Sequence, residues 1–320
     1  MRDSMIDLIT ISFKDLLVTI SQILNLHNPV VFLLSMFLAC ILIGFVAVLA
    51  GVGGGVLFTP LMMAFTTVNP DIVRATGLAI ATMSSLMSSK PYLSRNIANF
   101  RLALFSAIPY TIFAIIGSII GLHITAVLGN LGKNLIRFSL GILVLFIALL
   151  FVIKGKRVEW PNAPENKHDA LANTLGLDAQ YFEVSLNRTV MYKVVNIQWG
   201  MLCFVGVGLV SGMFGLGAGW AIVPVYNLVM YLPLKVASAT SLTVIGIGDT
   251  AAMWVYINGG AMIPLFVIPC LLGVIIGAQV GTRMMPKLKA GIIRWVVIAV
   301  MIIAGLRLIQ QALPTIMGVI

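Results

Sequence analysis

The chain has 320 residues, of which 60% are hydrophobic and only 9% charged. With its strongly positive mean hydropathy, that balance lies far outside the range of soluble domains and points to a bilayer as solvent. The excess of twenty basic over ten acidic side chains does not signal nucleic acid, because most basic residues close apolar runs, where Lys and Arg mark cytoplasmic loops.

Residues 1–27 interleave Arg2, Asp3, Asp7, Lys14 and Asp15 with Leu8, Ile9, Leu16, Leu17, Ile20 and Leu24. That spacing predicts an amphipathic helix lying in the membrane interface. Early acidic residues and the lack of a small-residue cleavage site argue against a signal peptide.

From Asn28 to Pro70 no side chain is formally charged, and the same holds from Val194 to Leu234. About 40 helical residues would reach roughly 60 Å, twice a hydrocarbon core of ~30 Å. Each run must therefore cross and turn back. Each carries a glycine knot where it can: Gly51, Gly53, Gly54 and Gly55 ahead of Pro60, and Gly215, Gly217 and Gly219 ahead of Pro224. Glycine accepts backbone angles closed to other residues and lets a neighbouring helix come close. The limb after the first knot, Val56 to Val68, is too short for an ordinary span. Its start is expected inside the membrane thickness, which irregular backbone survives only in protein or beside a polar cavity.

The two knots are copies. Gly51, Gly53, Gly55 and Pro60 recur 164 positions later as Gly215, Gly217, Gly219 and Pro224; Ala75-Thr76, Leu78 and Tyr92 recur as Ala239-Thr240, Leu242 and Tyr256. Pro109, Gly117 and Gly121 return 160 positions later as Pro269, Gly277 and Gly281. So many ordered matches indicate internal duplication. Further spans are expected near 71–89, 102–121, 136–153, 235–256, 261–281 and 292–312, about ten helical segments in all.

Loop charge favours inverted topology of the halves. The Lys90–Arg101 loop is basic where its counterpart near Asn258–Gly260 is neutral, while Arg283, Lys287, Lys289 and Arg294 crowd a loop whose counterpart holds only Lys133 and Arg137. The expected organisation is an interfacial helix (1–27), a first transmembrane repeat (28–153), a polar cytoplasmic insert (154–193) and a second repeat (194–320). Within the insert, Asn187-Arg188 separates two alternating runs and predicts a hairpin. Cys40, Cys203 and Cys270 lie in apolar segments and read as small buried side chains, with neither a disulfide framework nor a metal cluster expected.

Neither knot is a phosphate-binding loop, since the Lys is missing, nor a dinucleotide fingerprint, since Val56 and Trp220 stand where a third glycine is needed. A broken membrane helix remains, whose following limb begins with unpaired amides and partial positive charge suited to an anion. Candidate contacts are Gly53, Gly54, Gly55, Thr59, Thr76, Gly217, Gly219, Thr240 and Ser241; close helix packing is the plainer role for the glycines, and bonding to their own backbone for the hydroxyls. Asp249 is isolated among apolar residues. It is a candidate for proton coupling, or for a structural pair with Arg74 or Lys90. Arg74 and Lys235 sit at limb–helix junctions and read as interfacial anchors or anion attractors. Ser211-Gly212 with His123 lacks the spacing of a protease dyad.

Two Gly-x-Gly-x-Gly-x4-Pro segments, each followed by Ala-Thr-Gly/Ser-Leu, resemble the TauE/SafE family of membrane permeases over about residues 30–312, and the insert resembles that of a long-loop subgroup. The second copy departs from the common triple glycine at Ala218. The resemblance implies an all-α, multi-pass protein of the bacterial inner membrane that moves sulfite, sulfonates or related anions, with no cofactor, no enzymatic activity and no nucleic-acid partner. The expected function is alternating access around an anion held between the two breaks, driven by a proton or charge gradient. An anion channel with the same pocket and a non-transporting scaffold are the alternatives.

Overall fold

A computed structural model describes residues 29–50, 54–153, 161, 169–183, 187–284 and 290–318. The expected interfacial helix (1–27), Gly51–Gly53 and most of the start of the insert lie outside the described residues. The protein is all-helical apart from one hairpin. Five helices among the described residues are long and apolar enough to cross a membrane.

Helix α1 (Pro29–Ala50) precedes Gly51–Gly53, and α2 (Gly54–Phe65) runs only 12 residues. That is about 18 Å, too short to span. Helix α3 (Pro70–Ser94) starts on a strong local signal: the Asn69 side chain accepts from Asp71 N at 3.2 Å, and Pro70 occupies the first turn. Helix α4 (Phe100–Ile153) is two helices joined at Gly129, whose φ of 52° and ψ of −122° leave the helical region. The spans expected at 102–121 and 136–153 are its two limbs.

The insert supplies a short helix α5 (Ala170–Leu175) and the hairpin β1 (Ala179–Glu183) and β2 (Arg188–Tyr192), antiparallel with Tyr181 opposite Val190. The hairpin is tied to the helix ends. Glu183 pairs with Lys235 at 2.9 Å, Asp178 accepts from Val194 N at 2.8 Å, and Asp169 accepts from Ile197 N at 2.9 Å.

Helix α6 (Ile197–Phe214) stops at Gly215, which has φ 65° and donates its N–H to Ser211 O at 2.8 Å. A left-handed glycine is a common helix terminator. Helix α7 (Gly219–Pro224) continues into a π-helical turn, Val225–Val229. Helices α8 (Leu234–Asn258), α9 (Pro264–Met284) and α10 (Ala290–Met317) complete the chain.

Small residues set the packing. Helix α9 lies along α1, where a β-carbon on Gly273 or Gly277 would overlap the Phe37 or Ile41 carbonyl. The first limb of α4 lies along α6 in the same manner, with Gly117 on Leu209 and Gly212 on Ala114. The glycines that recur between the halves, Gly117 and Gly277, thus serve equivalent cross-half contacts, the usual use of small residues between membrane helices. Helices α3 and α8 run antiparallel: the Arg74 guanidinium is 5.4 Å from the Tyr256 ring, while Leu86 meets Gly246. Outward-facing Leu34, Leu38 and Leu42 on α1, and Leu104, Ile108 and Ile112 on α4, form the exposed apolar stripes that a bilayer covers.

Candidate functional site

The start of α2 meets the break between α6 and α7 inside the protein. Every residue from Gly54 to Pro60 is buried, as are Gly219 to Val223. A β-carbon on Gly55 would sit 2.5 Å from Leu216 O, so the start of α2 rests directly on the second break. Thr59 Oγ1 donates to Gly215 O at 2.7 Å, and Gly77 of α3 has no room for a side chain between them. Gly217 has φ 70°, and a β-carbon there would lie 2.7 Å from Ala81 Cβ and 3.4 Å from Asp249 Oδ2. Both the conformation and the space require glycine at this position.

Two carbonyls at the end of α6 accept from side chains of other helices. Gly212 O accepts from Ser118 Oγ (3.2 Å) and Tyr256 OH (2.9 Å), and Met213 O accepts from Arg74 Nη1 (2.8 Å). Arg74 Nη2 also pairs with Asp71 and donates to Gly121 O at 3.2 Å; Thr125 Oγ1 donates to both Asp71 oxygens at 3.1 Å. A helix interrupted in a membrane leaves carbonyls that water cannot reach, so the protein must supply the donors. Arg74 is therefore no interfacial anchor. It is wholly buried, with its charge balanced by Asp71 one turn away and its two terminal nitrogens bonded to Met213 O, Gly121 O and Asp71.

The amide end of α7 is the opposite case. No hydrogen bond among the described residues uses the amides of Gly217, Ala218 or Gly219. Beside them lies Asp249, fully buried. Its Oδ1 accepts from Tyr110 OH at 2.5 Å and from Ser211 Oγ at 3.3 Å, and Tyr110 OH is 3.0 Å from Ser211 Oγ. Among the described residues its Oδ2 has no hydrogen-bond partner. Tyr110 reaches the carboxylate across Gly248, where a side chain would overlap its ring. Among the described residues no cation pairs with Asp249: Arg74 is committed to Asp71, and Lys235 to Glu183.

The hydroxyls named from sequence do not gather here. Thr76 Oγ1 donates to Ile72 O and Ser241 Oγ to Ser238 O, both at 2.8 Å, the back-bonding common in helices. Thr240 Oγ1 accepts from Asn99 N at 3.0 Å, at the end of α8 nearest the insert. Because α3 and α8 are antiparallel, with Ala81 near the level of Asp249, Thr76 and Thr240 stand roughly 20 Å apart along the helices at 1.5 Å per residue. One small anion cannot touch both. Gly54, Gly55, Thr59, Gly217, Gly219 and Asp249 do come together; Gly53 lies outside the described residues. Sequence reasoning missed Tyr110 and the Asp71–Thr125–Tyr256 support of Arg74. Only the Asp71-to-Arg74 helical spacing could have hinted at any of it.

Crossing apolar helices and a buried helix interruption beside a buried carboxylate suit a multi-pass membrane transporter. The chain belongs to the family described as Sulfite exporter TauE/SafE, which matches residues 36–308. It is 25% identical over 279 residues, 84% of this chain and 94% of the relative, to the Bacillus subtilis (strain 168) probable membrane transporter protein YunE. A probable membrane transporter protein of Xylella fastidiosa (strain Temecula1 / ATCC 700964) is 25% identical over 250 residues, 78% of this chain and 83% of the relative. The Bacillus subtilis YjnA, also named a probable membrane transporter protein, is 23% identical over 279 residues, 86% of this chain and 99% of the relative. No solved structure matches the chain.

Proposed function

We propose that the protein is a secondary transporter of a small anion, a sulfite, an organosulfonate or a related sulfur-containing anion, bound where the two breaks cross. The observation that carries this reading is Asp249 Oδ2, buried without a partner beside the uncommitted amides that open α7. A carboxylate at this depth is stable when protonated, paired or wetted. Protonated, Asp249 becomes a donor that, with the amides of Gly217 to Gly219, converges on an oxoanion. Ionised, it repels the same anion. Proton and substrate therefore load together, and no nucleotide is needed to drive transport. Tyr110 and Ser211 hold the other oxygen and fix the direction in which Oδ2 points.

The inverted-repeat reading supplies the motion. Equivalent helices α3 and α8 cross antiparallel, and the second limb of α4 crosses α10 likewise, with Gly141 by Ile309 and Leu145 by Gly305. Rocking one half against the other about this crossing exposes the breaks to each side in turn. The hydroxyls of Thr76, Thr240 and Ser241 flank the path at two levels and do not share one pocket.

The test is a thermal-shift panel of sulfite, sulfate, thiosulfate, sulfoacetate and taurine on detergent-purified protein, since a ligand that binds only the folded state raises its melting temperature. At least one sulfur oxoanion should shift the wild type and fail to shift Asp249→Ala, which has no donor at that position. A flat panel for the wild type, or equal shifts in both proteins, contradicts the proposed site.

A further inference from the structure

The insert does more than join the halves: it builds a groove against the lipid-facing side of α4. This groove, about 320 Å³ in volume, is lined by Arg101, Leu104, Phe105 and Ile108 of α4 and by Leu175 and Leu177 of the insert. Arg101, Leu104, Phe105 and Ile108 recur at helical spacing and share one face of α4. Leu104 and Ile108 are 44% and 59% exposed, and Ile112 continues the stripe one turn further at 50%. The groove is thus the end nearest the insert of an exposed apolar strip along α4.

The end beside the insert is charged. Arg101 stands in the first turn of α4, its Nη1 3.5 Å from Gly176 O. Gly176, at φ 58°, turns the chain between Leu175 and Leu177, and a β-carbon there would come 2.8 Å from that same nitrogen. No carboxylate pairs with Arg101 among the described residues. Lys90, in the last turns of α3, and Arg95, just beyond it, are also exposed.

We infer that this groove binds one anionic phospholipid of the leaflet on the side of the basic loops, with a phosphate on Arg101 and an acyl chain between α4 and α5. The apolar floor suits a chain, and the unpaired guanidinium at its polar end complements a phosphate bidentately. A soluble phosphate would gain nothing from Leu104, Ile108 and Leu175. A zwitterionic lipid would leave the excess positive charge unanswered. The bound lipid would join the insert to the start of α4, next to Asn99, which bonds Thr240 of α8 through its backbone and Leu177 and Tyr192 of the insert through its side chain.

Native mass spectrometry of the purified full chain, incubated with phosphatidylglycerol or phosphatidylcholine of identical acyl chains, tests this. The wild type should retain one phosphatidylglycerol preferentially. Arg101→Gln should lower that retention about five-fold, the effect of one basic group near an anionic headgroup, and leave phosphatidylcholine unchanged. Arg188→Gln, an exposed hairpin change outside the groove, should have no effect. Ile108→Trp, which fills the groove from its outward face, should lower retention of both lipids; if that variant fails to fold, Arg101→Gln decides alone. Equal phosphatidylglycerol retention in wild type and Arg101→Gln, equal losses in Arg101→Gln and Arg188→Gln, or undiminished retention in folded Ile108→Trp each overturns the inference.

Discussion

Arg74 Nη1 donates to the Met213 carbonyl at 2.8 Å and so closes the last turn of a helix in the other half of the molecule. The contact reaches from α3 to the C-terminus of α6, at the point where α6 must stop. Asp71 and Thr125 hold the guanidinium in place, and the Tyr256 ring lies 5.4 Å from it. The second break therefore rests on an ion pair between buried Arg74 and partly exposed Asp71.

Removing one partner of such a pair leaves an uncompensated charge, which is costlier than removing both. Arg74→Gln should destabilise the protein by ~3 kcal/mol. Adding Asp71→Asn should recover part of that loss, because the two residues are coupled. Thermal unfolding in detergent of both single variants and the double variant measures this. A double variant as unstable as the sum of the singles would show that the pair does not act as a unit.

Two glycines of α6, six residues apart, should respond in opposite ways. A β-carbon on Gly212 overlaps the Ala114 carbonyl, whereas one on Gly206 meets nothing within 4 Å. Gly212→Ala should force α6 off α4 and cost about 1–3 kcal/mol. Gly206→Ala should be neutral or stabilise by up to ~1 kcal/mol through helix propensity. Melting temperatures of the two variants check the contrast.

The end of α2 has a redundant cap. Ala64 O accepts from Arg307 Nε and from Gln311 Nε2, each at 2.9 Å. Either donor alone satisfies the carbonyl, so Arg307→Leu and Gln311→Leu should each be mild. The double variant strands a buried acceptor and should cost about 2 kcal/mol more than the two singles together. A double-mutant cycle on unfolding free energy tests the excess.

Burial pushes the Tyr192 phenol up to about 12, an effect partly offset by the hydrogen bond from Asn99. A phenol raised in the folded state favours folding fully below its unfolded value near 10. That contribution is lost as the pH climbs from about 10 to about 12, because the unfolded chain releases the proton first. The ultraviolet phenolate titration of the wild type minus that of Tyr192→Phe should have its midpoint near 12. A midpoint near 10 would place the ring in water and the hairpin off the helix ends.

The scaffold was largely legible from residue pattern. The glycine-marked stop of α6 at Gly215, the long apolar helices and the hairpin before Val194 all announce features that the structure contains, because each follows from local geometry or from bilayer thickness. The site was legible only in part. Gly55, Gly217 and Asp249 stand out by type and isolation, but Tyr110 sits unremarked in an apolar helix, and only tertiary packing brings its hydroxyl to Asp249. Arg74 misled for the same reason: near a helix start it reads as an anchor, and nothing local reveals that α4, α6 and α8 close around it. Thr76 and Thr240 are equivalent in sequence, yet antiparallel crossing of α3 and α8 carries equivalent positions apart except near the crossing point.

The coupling of proton and anion at Asp249 is tested most directly by flux into proteoliposomes under an imposed pH gradient. The substrate should be a member of the panel whose own charge is constant near neutral pH, such as sulfoacetate. Wild-type flux should rise when protons and anion enter from the same side. Asp249→Asn should lose that dependence on the gradient while still exchanging internal for external substrate. Gradient-driven flux that survives unchanged in Asp249→Asn would contradict the account.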